Sequence, residues 1–186
     1  MTDIKDAKIL IIATNGFEQS ELEVPRDQLR DRGAAVHVAS PDGNAIKGWD
    51  GDDWGQEVEV DKSIGDLSAS DYDAIVLPGG QINPDLLRVD DKAMALIREF
   101  LDAGKVVAAV CHAPWLLVEA DAVRGREVTS YPSIRKDVEN AGGLWKDVEV
   151  ACDKGIVTSR NPGDLDAFVA KIVEEIAEGE HHRRAA

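Results

Sequence analysis

The stretch VVAAVCHAPWLL, residues 106–117, joins an apolar run to a helix-like segment through an adjacent cysteine and histidine. The run before Cys111 is rich in Val and Ala without polar alternation, which is typical of a strand buried on both faces. A residue at the sharp turn between a strand and the following helix presents its side chain outward. The sequence therefore predicts a nucleophile elbow with Cys111 at its tip.

Apolar runs of the same character recur along the chain, and helix-like segments separate them. The runs cover residues 7–14, 34–40, 73–79 and 105–111, and the helix-like segments cover 19–31, 91–103, 114–122, 131–141 and 165–177. This alternation predicts an α/β fold whose parallel sheet is covered by helices. Residues 41–60 and 148–160 are predicted to be antiparallel additions to that sheet.

The composition restricts the class of protein and its partners. A chain of 186 residues, 44% of them hydrophobic, fits one domain over residues 1–186, and we expect residues 179–186 to be a flexible tail. A formal charge of −15 disfavours nucleic acid and anionic membranes as partners. The acidic start lacks the features of an export signal and no apolar run is long enough for a bilayer, so we expect a cytoplasmic protein.

The two cysteines differ in their sequence surroundings. In a reducing compartment neither is expected in a disulfide. A helix N-terminus and His112 would lower the pKa of the Cys111 thiol, although a small buried hydrophobe is the commoner role of a free cysteine. His112 could be a general base or an exposed residue at a helix start. Cys152 has no histidine beside it, which predicts a structural role.

Further candidates follow other strands, where functional groups gather at the carboxyl edge of a parallel sheet. Glu18 could donate a hydrogen bond to the sulfur or move a proton, or it could be a carboxylate favoured by a helix N-terminus. Gly79 and Gly80 could bring backbone N–H groups close to a ligand, or form a plain turn. Tyr131 is a candidate for substrate binding. His181 and His182 predict a frayed tail rather than a metal site.

Five blocks of the sequence carry a resemblance to a known family. They are ATNGFEQSELEVP, DAIVLPGG, VAAVCHAPWLL, RGREVTSYPSIRKDVENAGG and VTSRNPGDLDAF, in this order over nearly the whole chain. The chain resembles the PfpI family of intracellular cysteine proteins, in the superfamily that includes the parkinsonism-associated deglycase. The resemblance implies a flavodoxin-like three-layer α/β/α sandwich with a mainly parallel sheet, and no cofactor or metal.

The resemblance also implies roles for individual residues. Cys111 is the nucleophile with His112 as its partner, Glu18 lies beside the sulfur, and the backbone of Gly80 and His112 forms an oxyanion hole. In PfpI-like homodimers or hexamers, a glutamate from a neighbouring subunit orients the histidine. Asp85 matches that position and is one methylene shorter. The family's C-H-G-P motif reads C-H-A-P here, so Ala113 brings a Cβ into a tight helix start, a minor departure that at most narrows the substrate pocket.

Three functions are compatible with this resemblance. The first is a stress-response enzyme of the glyoxalase or deglycase type, in which a Cys111 thiolate adds to methylglyoxal or to its adducts on proteins or peptides. The second is an intracellular cysteine peptidase, which needs an acyl-enzyme and a cleft for an extended chain. The third is a non-enzymatic peroxide sensor based on oxidation of Cys111. We favour the first, because it needs only a thiolate that adds to the aldehyde and a carboxyl group that moves protons, which Cys111 and Glu18 could supply in a small pocket.

Overall fold

The strands and helices of the computed structural model, which describes residues 2–181, follow the apolar runs. The strands are Lys8–Ile12 (β1), Phe17–Glu18 (β2), Ala35–Ser40 (β3), Ile46–Asp50 (β4), Asp53–Val58 (β5), Lys62–Ser63 (β6), Ala74–Leu77 (β7), Val106–Val110 (β8), Glu127–Val128 (β9), Leu144–Trp145 (β10), Val150–Asp153 (β11) and Ile156–Ser159 (β12). The α-helices are Gln19–Asp31 (α1), Ile82–Leu87 (α2), Asp91–Asp102 (α3), Pro114–Glu119 (α4), Arg135–Asn140 (α5) and Leu165–Glu178 (α6).

The central sheet has seven strands in the order β11-β12-β8-β7-β1-β3-β6. All neighbouring pairs are parallel except β11 and β12, so the predicted antiparallel addition at 148–160 is confirmed for β11. The four strands β1, β7, β8 and β12 consequently end at the same edge. The loops that follow them meet there, which is where ligands bind in open sheets of this kind.

Alternate residues of β1 face opposite sides of the sheet, as the pleat of a strand requires. Ile9 and Ile11 are fully buried in a core that includes residues of α1 and α6. Leu10 and Ile12 are fully buried in a second core, built with residues of α3 and α4. Two cores on the two faces of one sheet confirm the predicted three-layer α/β/α sandwich.

The prediction that residues 41–60 extend the central sheet is wrong. Strands β4 and β5 form an antiparallel hairpin that pairs through β4 with β2, in a separate three-stranded sheet. The hairpin closes over Gln19, whose side-chain oxygen accepts the Gln56 N–H at 2.8 Å. Gly48 and Gly55 leave room for this amide, because a Cβ on either would lie within 2.4 Å of the Gln19 oxygen.

The chain stays packed beyond α6. His181 donates its backbone N–H to the Gly104 carbonyl at 2.8 Å, and its Nε2 lies 3.3 Å from a Glu175 carboxylate oxygen. A flexible tail over residues 179–186 stays a prediction, and its residues 182–186, with His182, lie outside the described residues. Among the helices of residues 2–181, none has the length and apolar character needed to cross a bilayer.

Candidate active site

Cys111 occupies a left-handed turn between β8 and α4, with a φ of 63°. Non-glycine residues rarely adopt this conformation, and it persists only where neighbouring structure holds it. Two hydrogen bonds do so here: the Cys111 N–H donates to the Ser159 carbonyl at 3.0 Å, and the Cys111 carbonyl accepts the Tyr131 N–H at 2.8 Å. The backbone thus has the strand-to-helix elbow geometry expected from the sequence.

The His112 imidazole turns back towards the thiol of its neighbour. Its Nδ1 lies 3.1 Å from the Cys111 sulfur, and the Tyr131 ring stacks on the imidazole with centroids 4.8 Å apart. The Trp115 ring packs against it at 5.4 Å. Burial lowers the pKa of His112, so the ring is neutral near neutral pH and can accept a proton from the thiol.

The carboxyl group beside the sulfur belongs to Glu21 and not to Glu18, which corrects the placement expected from the sequence. Glu21 is fully buried in α1, and its Oε2 accepts the Gly79 N–H at 2.9 Å. Burial raises the pKa of this carboxyl from 4.5 to about 8, against the opposing effect of its hydrogen bonds with Cys111 and Gly79. Near neutral pH Glu21 is therefore largely protonated and can donate a hydrogen bond to the sulfur.

Glu18 lies one turn earlier, where β2 meets α1, and lines the cavity in front of Cys111. Its carboxylate accepts a hydrogen bond from the Ser20 hydroxyl at 3.4 Å. Burial raises the pKa of Glu18, and the charge of Asp50 adds to the shift. Glu18 is thus placed to contact a substrate rather than the sulfur.

Gly79 and Gly80 bring the loop after β7 against the elbow. A Cβ at Gly79 would lie 2.6 Å from the Glu21 carboxyl and 2.7 Å from the Cys111 Cβ, so only glycine permits this approach. Gly80 has a φ of +77°. The backbone N–H groups of Gly80 and His112 both hydrogen-bond the Cys111 sulfur, which lowers the pKa of its thiol. These two amides are the pair predicted for an oxyanion hole.

Opposing influences set the ionisation of Cys111. Burial raises the pKa of the thiol and a negative charge on Glu21 would raise it further, whereas the backbone N–H groups of Gly80 and His112 lower it. Because Glu21 is itself largely protonated near neutral pH, its charge and that of Cys111 do not coexist there. The two groups therefore titrate as a pair, and the form with a neutral carboxyl is the one that tolerates a thiolate.

A cavity of about 600 Å³ opens in front of the sulfur. Its described lining consists of Gly16, Glu18, Glu21, Trp49, Gly51, Gly80, Gln81, Ile82, Cys111, His112, Tyr131 and Pro162. No lysine or arginine is among these residues, and both carboxyl groups are on the α1 side. The cavity suits a small neutral or cationic group.

Three predicted site residues, Gly79, Ala113 and Asp85, are not in the described lining of this cavity. The Gly79 N–H donates to Glu21, and Ala113 is fully buried in the core at the start of α4. Asp85 lies on α2, where its carboxylate is 2.8 Å from the Arg88 guanidinium of the same chain. Whether it reaches the histidine of a neighbouring subunit stays a prediction.

Three residues of the site escaped the sequence reading. The sequence does contain a signal for Glu21. It lies on the face of α1 that also carries Leu22, Pro25 and Leu29, and a glutamate is rarely buried unless it has a partner. Trp49 lies on β4, in the hairpin that was wrongly predicted to extend the central sheet, so its place in the cavity lining could not be foreseen. Ser133 contacts His112 Nε2 at 3.1 Å, a tertiary contact without a motif.

Comparisons with known proteins agree with this architecture. Residues 7–175 match the DJ-1/PfpI family. The deglycase TK1284 of Thermococcus kodakarensis is 40% identical over 167 residues, which cover 90% of this chain and 98% of the relative. Protein/nucleic acid deglycase 2 of Escherichia coli is 42% identical, over 87% of this chain and 92% of the relative. The crystal structure of Drosophila melanogaster DJ-1beta superposes with a TM-score of 0.84 at 31% identity, over 92% of this chain and 90% of that one.

Proposed function

The chain belongs to the DJ-1/PfpI family, and from this membership and its site we propose that it is a cysteine-dependent deglycase or glyoxalase. Its substrates are methylglyoxal and related reactive aldehydes, or the adducts that they form on proteins. One observation carries the proposal: the buried carboxyl group of Glu21, whose pKa is raised to about 8, lies beside the thiol of Cys111 at a small cavity. Aldehyde chemistry needs this pair of a nucleophile and a proton carrier, and it does not need a cleft for an extended chain.

The first step is addition of sulfur to the aldehyde carbon. The thiol proton passes to His112 Nδ1, which lies 3.1 Å from the sulfur. The thiolate forms a carbon–sulfur bond, and the carbonyl electron pair moves to oxygen. The N–H groups of Gly80 and His112, which point at the sulfur, can stabilise that oxyanion until it takes a proton to give a hemithioacetal.

The second step moves a proton between the two carbons of the adduct. Glu21 gives its proton to the oxyanion of the adduct, and its carboxylate then removes the proton from the carbon attached to sulfur while the His112 imidazolium protonates the neighbouring carbonyl oxygen. Glu21 returns its proton to that neighbouring carbon, and His112 takes the hydroxyl proton from the sulfur-bearing carbon, which leaves a thioester of lactate. Water then attacks the thioester carbonyl, and lactate leaves as the Cys111 thiol re-forms. The sum is one methylglyoxal and one water converted to one lactic acid.

The surroundings of the site bear on the substrate class. The E. coli relative is named for protein and nucleic acid alike, whereas the net charge of −15 and the carboxyl groups of the cavity disfavour phosphate-bearing substrates here. We therefore propose protein or peptide adducts in preference to nucleotide adducts. The proposal also places the enzyme in a reducing compartment such as the cytoplasm, because Cys111 must remain a free thiol.

A side-by-side assay tests the proposal. Purified protein is given methylglyoxal, a methylglyoxal-treated peptide, a methylglyoxal-treated nucleotide and unfolded casein, with Cys111→Ser as the matched control. We expect lactate from the first two and none from the control. Cleavage of casein that depends on Cys111, without formation of lactate, would establish the peptidase instead. Absence of both activities in the wild type, with stoichiometric oxidation of Cys111 by peroxide, would favour the sensor.

A further inference from the structure

A second group of metal-ligating side chains lies at the end of α6, apart from the active site. Glu175, Glu178 and His181 each offer one donor atom, and these atoms lie within 4.8 Å of one another. The group is beside Gly104, which precedes β8, whereas Cys111 follows the other end of that strand. We propose that these three side chains bind a divalent transition-metal ion of the Zn²⁺ class, which holds the chain after α6 against the domain.

The local fold brings the three residues together. Glu175 and Glu178 are three residues apart on α6, so they lie on one face of the helix. Gly179 ends the helix with a φ of 92°, and the chain turns so that the His181 N–H donates to the Gly104 carbonyl at 2.8 Å. A Cβ at Gly104 would lie 2.5 Å from the His181 carbonyl oxygen, so glycine is needed for this approach. The imidazole is thereby fixed beside the two carboxylates.

Two of the three side chains are almost completely withdrawn from solvent. The side chain of Glu175 is 8% exposed and that of His181 is 11% exposed, and His181 Nε2 lies 3.3 Å from the Glu175 Oε2. A tetrahedral Zn²⁺ ion with bonds of about 2.0–2.2 Å to nitrogen and oxygen needs this separation between two of its ligands. Glu178 is exposed, so its carboxylate can move the remaining distance to the ion.

The surroundings of the group suit a cation. The Cys152 thiol hydrogen-bonds to the Glu175 carboxyl, as the groups behind a ligating carboxylate do. Lys171, one turn before Glu175, is paired with Glu174 at 2.7 Å, whereas a divalent ion would balance the two carboxylates beside a neutral histidine. A cavity of about 440 Å³ has Glu178 in its lining and leaves room for the water that completes a site with three protein ligands.

The rival explanation is an ion pair between Glu175 and a protonated His181, without a metal. In that case Nε2–H also donates to the Glu175 backbone carbonyl, which is 3.4 Å away. The ion pair gives Glu178 no part, whereas the proposal makes it a ligand. The proposal also departs from the expectation that His181 belongs to a frayed tail without a metal, because residues 179–181 are part of the domain in the metal-bound protein.

The test measures Zn²⁺ affinity by competition with a chromophoric chelator. The protein is full-length and untagged and carries Cys111→Ser, so that the elbow thiol does not bind the ion. Glu178→Gln, His181→Gln and the control Glu174→Gln are added to this background. Glu174 and Glu178 are both exposed on α6, so neither substitution should unfold the protein. Ca²⁺ and Mg²⁺ are the control ions, because they prefer oxygen ligands alone.

We expect one Zn²⁺ per chain in the Cys111→Ser protein, with unchanged affinity after Glu174→Gln. Glu178→Gln and His181→Gln should each weaken binding by at least the roughly tenfold to hundredfold that loss of a group behind a ligand causes. The Co²⁺ form should show d–d absorption without a thiolate-to-cobalt charge-transfer band, as nitrogen and oxygen ligands require. Bound Zn²⁺ should also slow hydrogen exchange of the His181 N–H.

Four results would overturn the inference. The first is absence of saturable Zn²⁺ binding by the Cys111→Ser protein, and the second is equal affinity in its Glu178→Gln and Glu174→Gln derivatives. The third is Ca²⁺ or Mg²⁺ binding as tight as that of Zn²⁺, which would show only attraction to an acidic chain. The last is a thiolate-to-cobalt band, which would make Cys152 a ligand. None of these measurements uses aldehyde turnover, so they stand apart from the proposed function.

Discussion

The two thiols differ in their neighbours more than in their burial. Burial raises the pKa of both, and for Cys152 it does so to about 12, with the Glu175 carboxyl adding to the shift. Each sulfur also has a carboxyl neighbour and a backbone N–H donor, which are Glu21 and Gly80 for Cys111 and Glu175 and Gly155 for Cys152. The difference is the imidazole nitrogen of His112, 3.1 Å from the Cys111 sulfur, which can take the thiol proton.

Iodoacetamide near neutral pH should therefore label Cys111 well before Cys152. Peptide mass spectrometry during the first minutes of reaction measures the two rates. The Cys111→Ser protein is the control, in which the slow labelling of Cys152 should be unchanged. Equal rates at the two cysteines in the wild type would contradict the reactivity assigned to the elbow.

The proton-transfer role is predicted to belong to Glu21 and not to Glu18. Glu21→Gln keeps the shape of the side chain and removes the titrating proton, so lactate formation from methylglyoxal should fall by roughly two to four orders of magnitude. Glu18→Gln, at the residue that precedes α1, is the matched control, and its loss of activity should be much smaller because Glu18 lines the cavity and its carboxylate is engaged with Ser20. The reverse order of the two losses would return the role to Glu18.

The buried Glu21 carboxyl also predicts a pH dependence of stability. Its pKa in the folded state is raised from 4.5 to about 8, so its contribution to stability is complete below its unfolded pKa and is lost as the pH rises towards 8. Glu21→Gln carries no such group. Urea unfolding at about pH 5 and about pH 8 should show the variant gaining stability relative to the wild type as pH rises. An equal difference at both pH values would contradict the raised pKa.

The loop after β7 depends on a glycine for steric reasons as well as for its conformation. Gly80 has a positive φ, and a Cβ there would lie 2.6 Å from the Gly16 carbonyl oxygen and 2.7 Å from the Glu18 nitrogen. Gly125 has a similar φ of +69°, but its Cβ would meet nothing within 4 Å. Substitution of Gly125 by alanine therefore introduces backbone strain alone, whereas substitution of Gly80 introduces the strain and a steric clash.

Gly80→Ala should destabilise the protein by more than Gly125→Ala, for which the strain alone costs about 1–2 kcal/mol. Gly80→Ala should also lower turnover in the molecules that fold, because the displaced N–H no longer points at the sulfur. Chemical denaturation and methylglyoxal kinetics measure the two effects. Equal stabilities for the two variants would show that the loop has room for a side chain.

The central strands and helices could be predicted because each is a continuous local pattern. The unalternating run before Cys111 became β8, and the segment predicted at residues 19–31 is α1 with the same bounds. The β4–β5 hairpin could not be placed in this way, because its position depends on the contact between Gln19 and two distant glycines. Strand pairing of that kind depends on contacts between residues that are distant in the sequence, and local sequence patterns do not predict it.

Site residues that belong to a local motif could be predicted from the sequence. Site residues that come together only in the folded chain could not. Cys111, His112 and Gly80 lie at strand ends and were found there. Glu18 and Glu21 are three residues apart at the start of one helix, so sequence spacing alone did not show which of them faces the sulfur.

The assembly of subunits gives a prediction for the complete protein. Asp85 is predicted to reach the histidine of a neighbouring subunit, as the resemblance implies, so neither Cys111→Ser nor Asp85→Ala should be fully active alone. Co-expression of the two variants should recover activity, because some interfaces pair an intact Cys111 with an intact Asp85. Activity no greater than the sum of the two parents, or an Asp85→Ala protein as active as the wild type, would remove Asp85 from the site.

The chemistry itself is tested most directly by observing the adduct. Glu21→Gln protein is mixed with methylglyoxal labelled with ¹³C at its aldehyde carbon, and that carbon is followed in the intact protein by ¹³C NMR, which distinguishes a hemithioacetal from the hydrated aldehyde. Because the variant can add sulfur to the aldehyde but cannot complete the proton transfer, one hemithioacetal per chain should accumulate in Glu21→Gln and be absent from Cys111→Ser. The same hemithioacetal signal in Cys111→Ser, or none in Glu21→Gln, would contradict the account.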